Sequence, residues 1–78
     1  MKKTILYTSV GCPFCMMVEK YLEKNNIKFE KKDIGKDEKS KEEMIEKSNQ
    51  KNIPVLDVDG NIIIGYNIKK MKDALDIN

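Results

Sequence analysis

The sequence predicts an α/β domain: a mixed four-stranded sheet flanked by three helices, in the order βαβαββα. Three observations lead there. A short apolar run, Ile5-Leu6-Tyr7, is followed by a glycine, a proline and a helical pattern, and then by a second apolar stretch. Two short apolar runs flank Asp59-Gly60, a dipeptide suited to the left-handed angles of a type I′ hairpin turn. The chain then finishes on Ile68, Met71 and Leu75, which recur at helical spacing.

The elements follow in order. Lys3 to Thr8 reads as a strand, because a continuous apolar run is what a strand covered on both faces shows. Gly11 breaks it. Pro13 opens a helix, where its missing N–H costs nothing, and the apolar positions Phe14, Met17, Val18, Tyr21 and Leu22 give it a core-facing stripe. Asn25-Asn26 ends that helix. Ile27 to Ile34 reads as a second strand with Phe29 at its middle, parallel to the first because so compact a strand–helix–strand unit crosses over right-handedly. Gly35 closes it. Asp37 to Gln50 is a strongly charged surface helix with Met44 and Ile45 as its apolar contacts. Val55 to Val58 and Asn61 to Ile64 form the antiparallel hairpin, Gly65 breaks the chain, and Asn67 is a suitable N-cap for the last helix.

At 78 residues this is a single domain, 1–78, with a modest core. Small domains often lean on disulfides or metals. Here there are two cysteines, three residues apart, and no histidine. A bond between Cys12 and Cys15 closes so small a loop that it stabilises the fold weakly, which favours a bond that exists to be made and broken. Fifteen lysines and 13 acidic residues leave a net charge of +2, and the signs interleave, as in Glu19-Lys20 and Glu23-Lys24. That is the pattern of solvated faces and not the one-sided basic stripe of a nucleic-acid binder. The N-terminus has no apolar run long enough for a signal peptide, and no stretch approaches the roughly 20 apolar residues of a membrane span. The expectation is a cytoplasmic monomer with no nucleic-acid or membrane partner. In that compartment a close cysteine pair is catalytic, redox-active or metal-binding more often than structural.

Cys12-Pro13-Phe14-Cys15 therefore has four readings: a redox dithiol, half of a zinc site, a soft-metal site, or two inert core cysteines. Zinc wants about four ligands, and with no histidine the set is hard to complete. Inert cysteines pack well in cores, but this pair sits beyond a strand and a glycine at the start of a helix, where open sheets hold their reactive groups. The first helical turn carries unpaired N–H groups and a partial positive charge. A thiolate there is stabilised, and its pKa falls from about 8.5 toward neutrality. Cys12 is then the nucleophile. Cys15, one turn deeper and more buried, resolves the mixed disulfide by attacking Cys12. Pro13 fixes the turn. Phe14 either covers the edge of the site or packs in the core.

At these residues the chain resembles a glutaredoxin-like protein of the thioredoxin-fold family. The strand before Cys12-Pro13-Phe14-Cys15 is similar to the glutaredoxin opening, with an aromatic at the third motif position. Ile53-Pro54-Val55 resembles the family's proline loop, and Asp59-Gly60 and Gly65 fall where its hairpin turn and following loop belong. The likeness is greatest to the small YruB-type glutaredoxin-like proteins, through Ile53 to Tyr66. The resemblance implies that Pro54 is cis and faces the cysteines, whereas residue preference alone favours trans. It implies a substrate groove shaped by Pro54, with Ile53, Val55, Gly65 and Tyr66 as substrate or glutathione contacts and Val55 main-chain groups pairing to the incoming molecule. The plainer readings are that Pro54 starts an edge strand, Gly65 turns the chain and Tyr66 is a lid on the core.

Many glutaredoxins have a second glycine where this chain has Tyr66. In that respect it is similar to NrdH-redoxins, which have Gly-Phe there and take electrons from thioredoxin reductase. The resemblance thus implies a dithiol electron carrier for disulfide-containing protein clients. Its donor is glutathione or a thioredoxin-reductase-like flavoprotein, and it has no resident cofactor, glutathione entering as a co-substrate. The alternative from another class is a Cu(I) carrier, since thiolates favour soft metals, or an iron–sulfur cluster protein. Against the first, Val10 stands where small copper carriers place a methionine.

Overall fold

The computed structural model describes residues 3–77. Its elements are β1 (Thr4–Thr8), α1 (Pro13–Lys24), β2 (Glu30–Asp33), α2 (Glu38–Ser48), β3 (Val55–Val58), β4 (Asn61–Ile64) and α3 (Ile68–Leu75). They form one sheet in the order β2-β1-β3-β4, with β1 parallel to β2 and the other neighbours antiparallel. This is the mixed α/β sheet with three helices that the sequence predicts.

Strand alternation divides the apolar residues between two faces. Leu6, Leu56, Val58 and Ile63 point to one face and pack with Val18 and Leu22 of α1 and Met71 and Leu75 of α3. Ile5, Tyr7 and Val55 point to the other, where α2 covers them with Met44. All five residues of β1 and all four of β3 are buried, as befits the two central strands.

The helix ends follow local chemistry. Pro13 is the first residue of α1, and Cys12 precedes it as N-cap. At its other end Asn26 takes a positive φ of 57°. The N–H groups of Asn26 and Ile27 then bond back to the carbonyls of Glu23 and Leu22, at 3.1 and 2.9 Å. That is a Schellman closure, and it places Ile27 against the main core. Asp37 caps α2 through Lys39 N–H, and Asn67 caps α3 through Lys70 N–H.

Three sequence expectations need correction. The strand expected over Ile27 to Ile34 is confined to Glu30–Asp33. The helix closure holds Ile27 in place instead, and Ile27 and Phe29 fill the core edge from irregular chain. In α1 the buried stripe is Cys15, Val18 and Leu22. Phe14 and Met17 lie on the neighbouring stripe, which is exposed near the cysteines and half-buried only at Tyr21. In α2 Met44 is buried as expected, but Ile45 is exposed, and buried Ser40 takes the second inward place.

Candidate functional site

The site lies at the end of the sheet where β1 stops and β3 begins. Tyr7 pairs with Val55, so the chain leaving β1 toward the cysteines runs beside the chain entering β3. The N–H of Gly65 donates to the carbonyl of Pro54 at 2.8 Å, which brings the end of β4 to the same place. Three segments remote in sequence thus meet: 8–15, 53–55 and 64–66.

Cys12 and Cys15 are joined as a disulfide, with Cα atoms 5.2 Å apart. Cys12 is half-buried, whereas Cys15 is 1% exposed and belongs to the inward face of α1. The N–H of Cys15 donates to Sγ of Cys12 at 3.2 Å. A sulfur is thus the N-cap acceptor of this helix, in the place a serine or aspartate oxygen ordinarily takes. Once the bond is reduced, the same N–H and the amino end of α1 favour the thiolate over the thiol at Cys12. A second sulfur, Cys15, sits behind it, shielded from water.

The other expected site residues divide. Pro13 and Phe14 are exposed in the first turn of α1. Phe14 is therefore at the rim of the site and not in the core. Pro54 is fully buried, and its bond to Ile53 is cis, as the resemblance implies and against the trans form that residue preference favours. Val55 is buried among Ile5, Tyr7 and Met44, and it has strand partners on both sides, Tyr7 and Ile64. Ile53 precedes the strand and is half-buried. Gly65 has a φ of +78°, with open space where a Cβ would stand. The turn itself therefore requires glycine. Tyr66 packs half-buried against the main core, as a lid. Among the described residues no group of three or more His, Cys, Asp or Glu side chains is placed to hold a metal ion. Among the described residues no helix is long and apolar enough to cross a membrane.

A family model described as glutaredoxin matches residues 4–63. The chain belongs to the glutaredoxin family. A glutaredoxin-like 8.6 kDa protein of the Clostridium pasteurianum rubredoxin operon is 40% identical over 62 residues, which are 80% of this chain and 83% of that protein. Among solved structures, the T8A mutant of the thioredoxin-like protein BC3987 is similar with a TM-score of 0.93 at 29% identity, over 100% of both chains. The glutaredoxin of Archaeoglobus fulgidus is similar with a TM-score of 0.83 at 25% identity, over 96% of this chain and 87% of that one. The sheet and helices are thus a thioredoxin-like fold. Family membership and the close Cys12–Cys15 pair support a thiol–disulfide redox role.

A polar cluster on the α2 face went unread in the sequence. Lys47 of α2 donates to a carboxylate oxygen of Asp57 and to the hydroxyl of Tyr7, both at 2.7 Å. The Tyr7 hydroxyl in turn donates to Glu43, which also pairs with Lys32 at 3.0 Å. Hydrogen bonds from Tyr7 and then Lys32 hold the Glu43 carboxyl down at about 2. Burial pulls the Lys47 ammonium down, but bonds to Asp57 and Tyr7 outweigh it and hold it above the ordinary lysine range. Burial, and next the bond to Glu43, pushes the Tyr7 phenol up. This cluster fixes β1 and β3, the strands that lead into the site. Its signal in the sequence is Asp57, which shares its face with Val55 in an otherwise apolar strand.

Proposed function

We propose that this protein is a dithiol thiol–disulfide oxidoreductase that reduces protein disulfides or glutathione mixed disulfides through Cys12-Pro13-Phe14-Cys15. The observation that carries the reading is the N–H of Cys15 aimed at Sγ of Cys12 in the first turn of α1. It stabilises the attacking thiolate before any substrate arrives.

The cycle starts from the reduced pair. Cys12 thiolate attacks one sulfur of the client disulfide. An S–S bond forms between Cys12 and the client, the client's own S–S bond breaks, and its second sulfur leaves as thiolate and takes a proton. Cys15 loses its proton and attacks Sγ of Cys12. The Cys12–Cys15 bond forms and the first client sulfur leaves as a thiol. Two electrons and two protons have passed to the client. Pro13 and Phe14 shape the site, and Ile53 and Pro54 form its opposite wall. A thiol donor, glutathione or a thioredoxin-reductase-like flavoprotein, reverses the steps. The setting that suits this chemistry is the reducing cytoplasm, and the protein works as a monomer.

The Cys15→Ser variant tests the cycle. Mixed with a protein disulfide, it should accumulate a covalent Cys12–client adduct visible by mass spectrometry and released by a reductant. Sustained turnover at the wild-type rate would show that no second thiol is needed.

A further inference from the structure

Charge reaches nearly every part of this chain except the segments around the cysteines. The chain carries 15 lysines and 13 acidic residues, yet none lies in residues 8–18, 53–56 or 61–68. The pairing of Tyr7 with Val55, and the bond from Gly65 to Pro54, bring the parts of these segments at 8–15, 53–55 and 64–66 to one end of the sheet. Within the uncharged segment that holds Cys12, four apolar side chains are open to water: Val10 is 81% exposed, Phe14 58%, Met16 55% and Met17 42%.

The nearest charges do not alter this. Asp33 pairs with Thr8 at this end of the sheet, but its carboxylate is engaged by the Gly35 N–H at 2.8 Å, and the residues after Gly35, Lys36 and Asp37, are opposite in sign. Asp37 is occupied with the Ser40 hydroxyl and Lys39 N–H. Lys51 and Lys69 lie just beyond the uncharged segments in the chain. The amino end of α3 is already capped by Asn67, which accepts from Lys70 N–H at 3.1 Å.

Glutathione presents two carboxylates and an ammonium, which lose hydration on binding and need charged or hydrogen-bonding partners in return. The rim of this site offers apolar surface instead. Such exposed clusters mark interaction surfaces. Methionine suits one that meets varied shapes, because its flexible thioether repacks, and an aromatic at its centre is what interface cores favour.

We propose that the molecule this site takes is a protein segment whose disulfide is flanked by apolar side chains, docked on Val10, Phe14, Met16 and Met17 in preference to glutathione. This rests on the oxidoreductase reading above, and the exchange is the one given there: two electrons pass from the Cys12–Cys15 pair to the client disulfide, with one proton from Cys15 and one from water.

The test measures single-turnover reduction of four disulfides by the reduced protein. They are two peptides of equal length, one with leucine and phenylalanine beside its cysteines and one with glutamate and lysine, together with oxidised glutathione and bis(2-hydroxyethyl) disulfide. The apolar peptide should react at least about tenfold faster than the charged peptide or oxidised glutathione. In a Val10→Ser/Met17→Ser variant, checked for folding by its urea midpoint, that ratio should fall by roughly fivefold or more. Equal rates for the two peptides, or a ratio the variant leaves unchanged, overturn the apolar-client proposal while the oxidoreductase reading stands. Failure to reduce any of the four overturns both.

Discussion

The ammonium of Lys47 lies 2.7 Å from a carboxylate oxygen of Asp57, so α2 is bolted to the central strand β3 on the face away from α1. Asp57 is also held at its other oxygen, which accepts the N–H of Gly60 in the hairpin turn at 2.8 Å. The carboxylate side chain is 11% exposed and the lysine 29%. Removing the lysine therefore strands a charge in a place water reaches poorly. Lys47→Met should destabilise the fold by about 2 kcal/mol, below the range for a fully buried pair because the lysine is partly solvated. Asp57→Asn in the same chain should recover part of that loss, with a coupling of about 1 kcal/mol or more in a double-mutant cycle measured by urea unfolding. Strict additivity would mean the pair does not act as a unit.

Glu43 gives the acid limb of stability a definite sign. Its carboxyl is depressed to about 2 in the fold, from an ordinary value of 4.5. The group therefore contributes stability above about 4.5, and that contribution is lost as pH falls through 4.5 toward 2. The side chain is 39% exposed, so solvent screening trims its worth to about 1 kcal/mol. Glu43→Gln should lower the unfolding free energy at neutral pH by that amount and leave it nearly equal to wild type at pH near 2. Urea titrations at the two pH values decide it; a constant difference would contradict the assignment.

The turn between β3 and β4 makes a backbone prediction. Gly60 has a φ of +96°, with nothing within 4 Å of where a Cβ would stand. Alanine there meets no clash, only the cost of a left-handed backbone, about 1 kcal/mol. Gly60→Ala should thus lower the urea midpoint while leaving the slope unchanged. A neutral outcome would show that the turn relaxes to another type.

Most of the fold was legible because its signals are local. Asp59-Gly60 between two apolar runs fixes the hairpin to the residue, and Pro13 and Asn67 mark two helix starts. The cysteines could be read because their spacing and the glycine before them imply a helix start. What escaped depended on partners distant in sequence. The sequence overextends β2 because Ile27 and Phe29 look like strand residues, yet the closure of α1 at Asn26 takes Ile27 first. Phe14 and Met17 share helical spacing with the core, and nothing local reveals which of two adjacent stripes faces the sheet. Asp57 reads as a surface charge until Lys47, ten residues earlier, is seen to meet it from α2 on the same face of the sheet. The cis bond at Pro54 was legible only through the family resemblance.

The sulfur chemistry is tested most directly by titrating the reduced protein, following thiolate absorbance in the ultraviolet against pH. With the Cys15 N–H and the amino end of α1 directed at its sulfur, Cys12 should ionise below the range of an ordinary thiol. A Cys12→Ser variant should lose that early step and keep only a late one from buried Cys15. Two thiols that both titrate like free cysteine, or an early step that survives in Cys12→Ser, would contradict the assignment of Cys12 as the nucleophile.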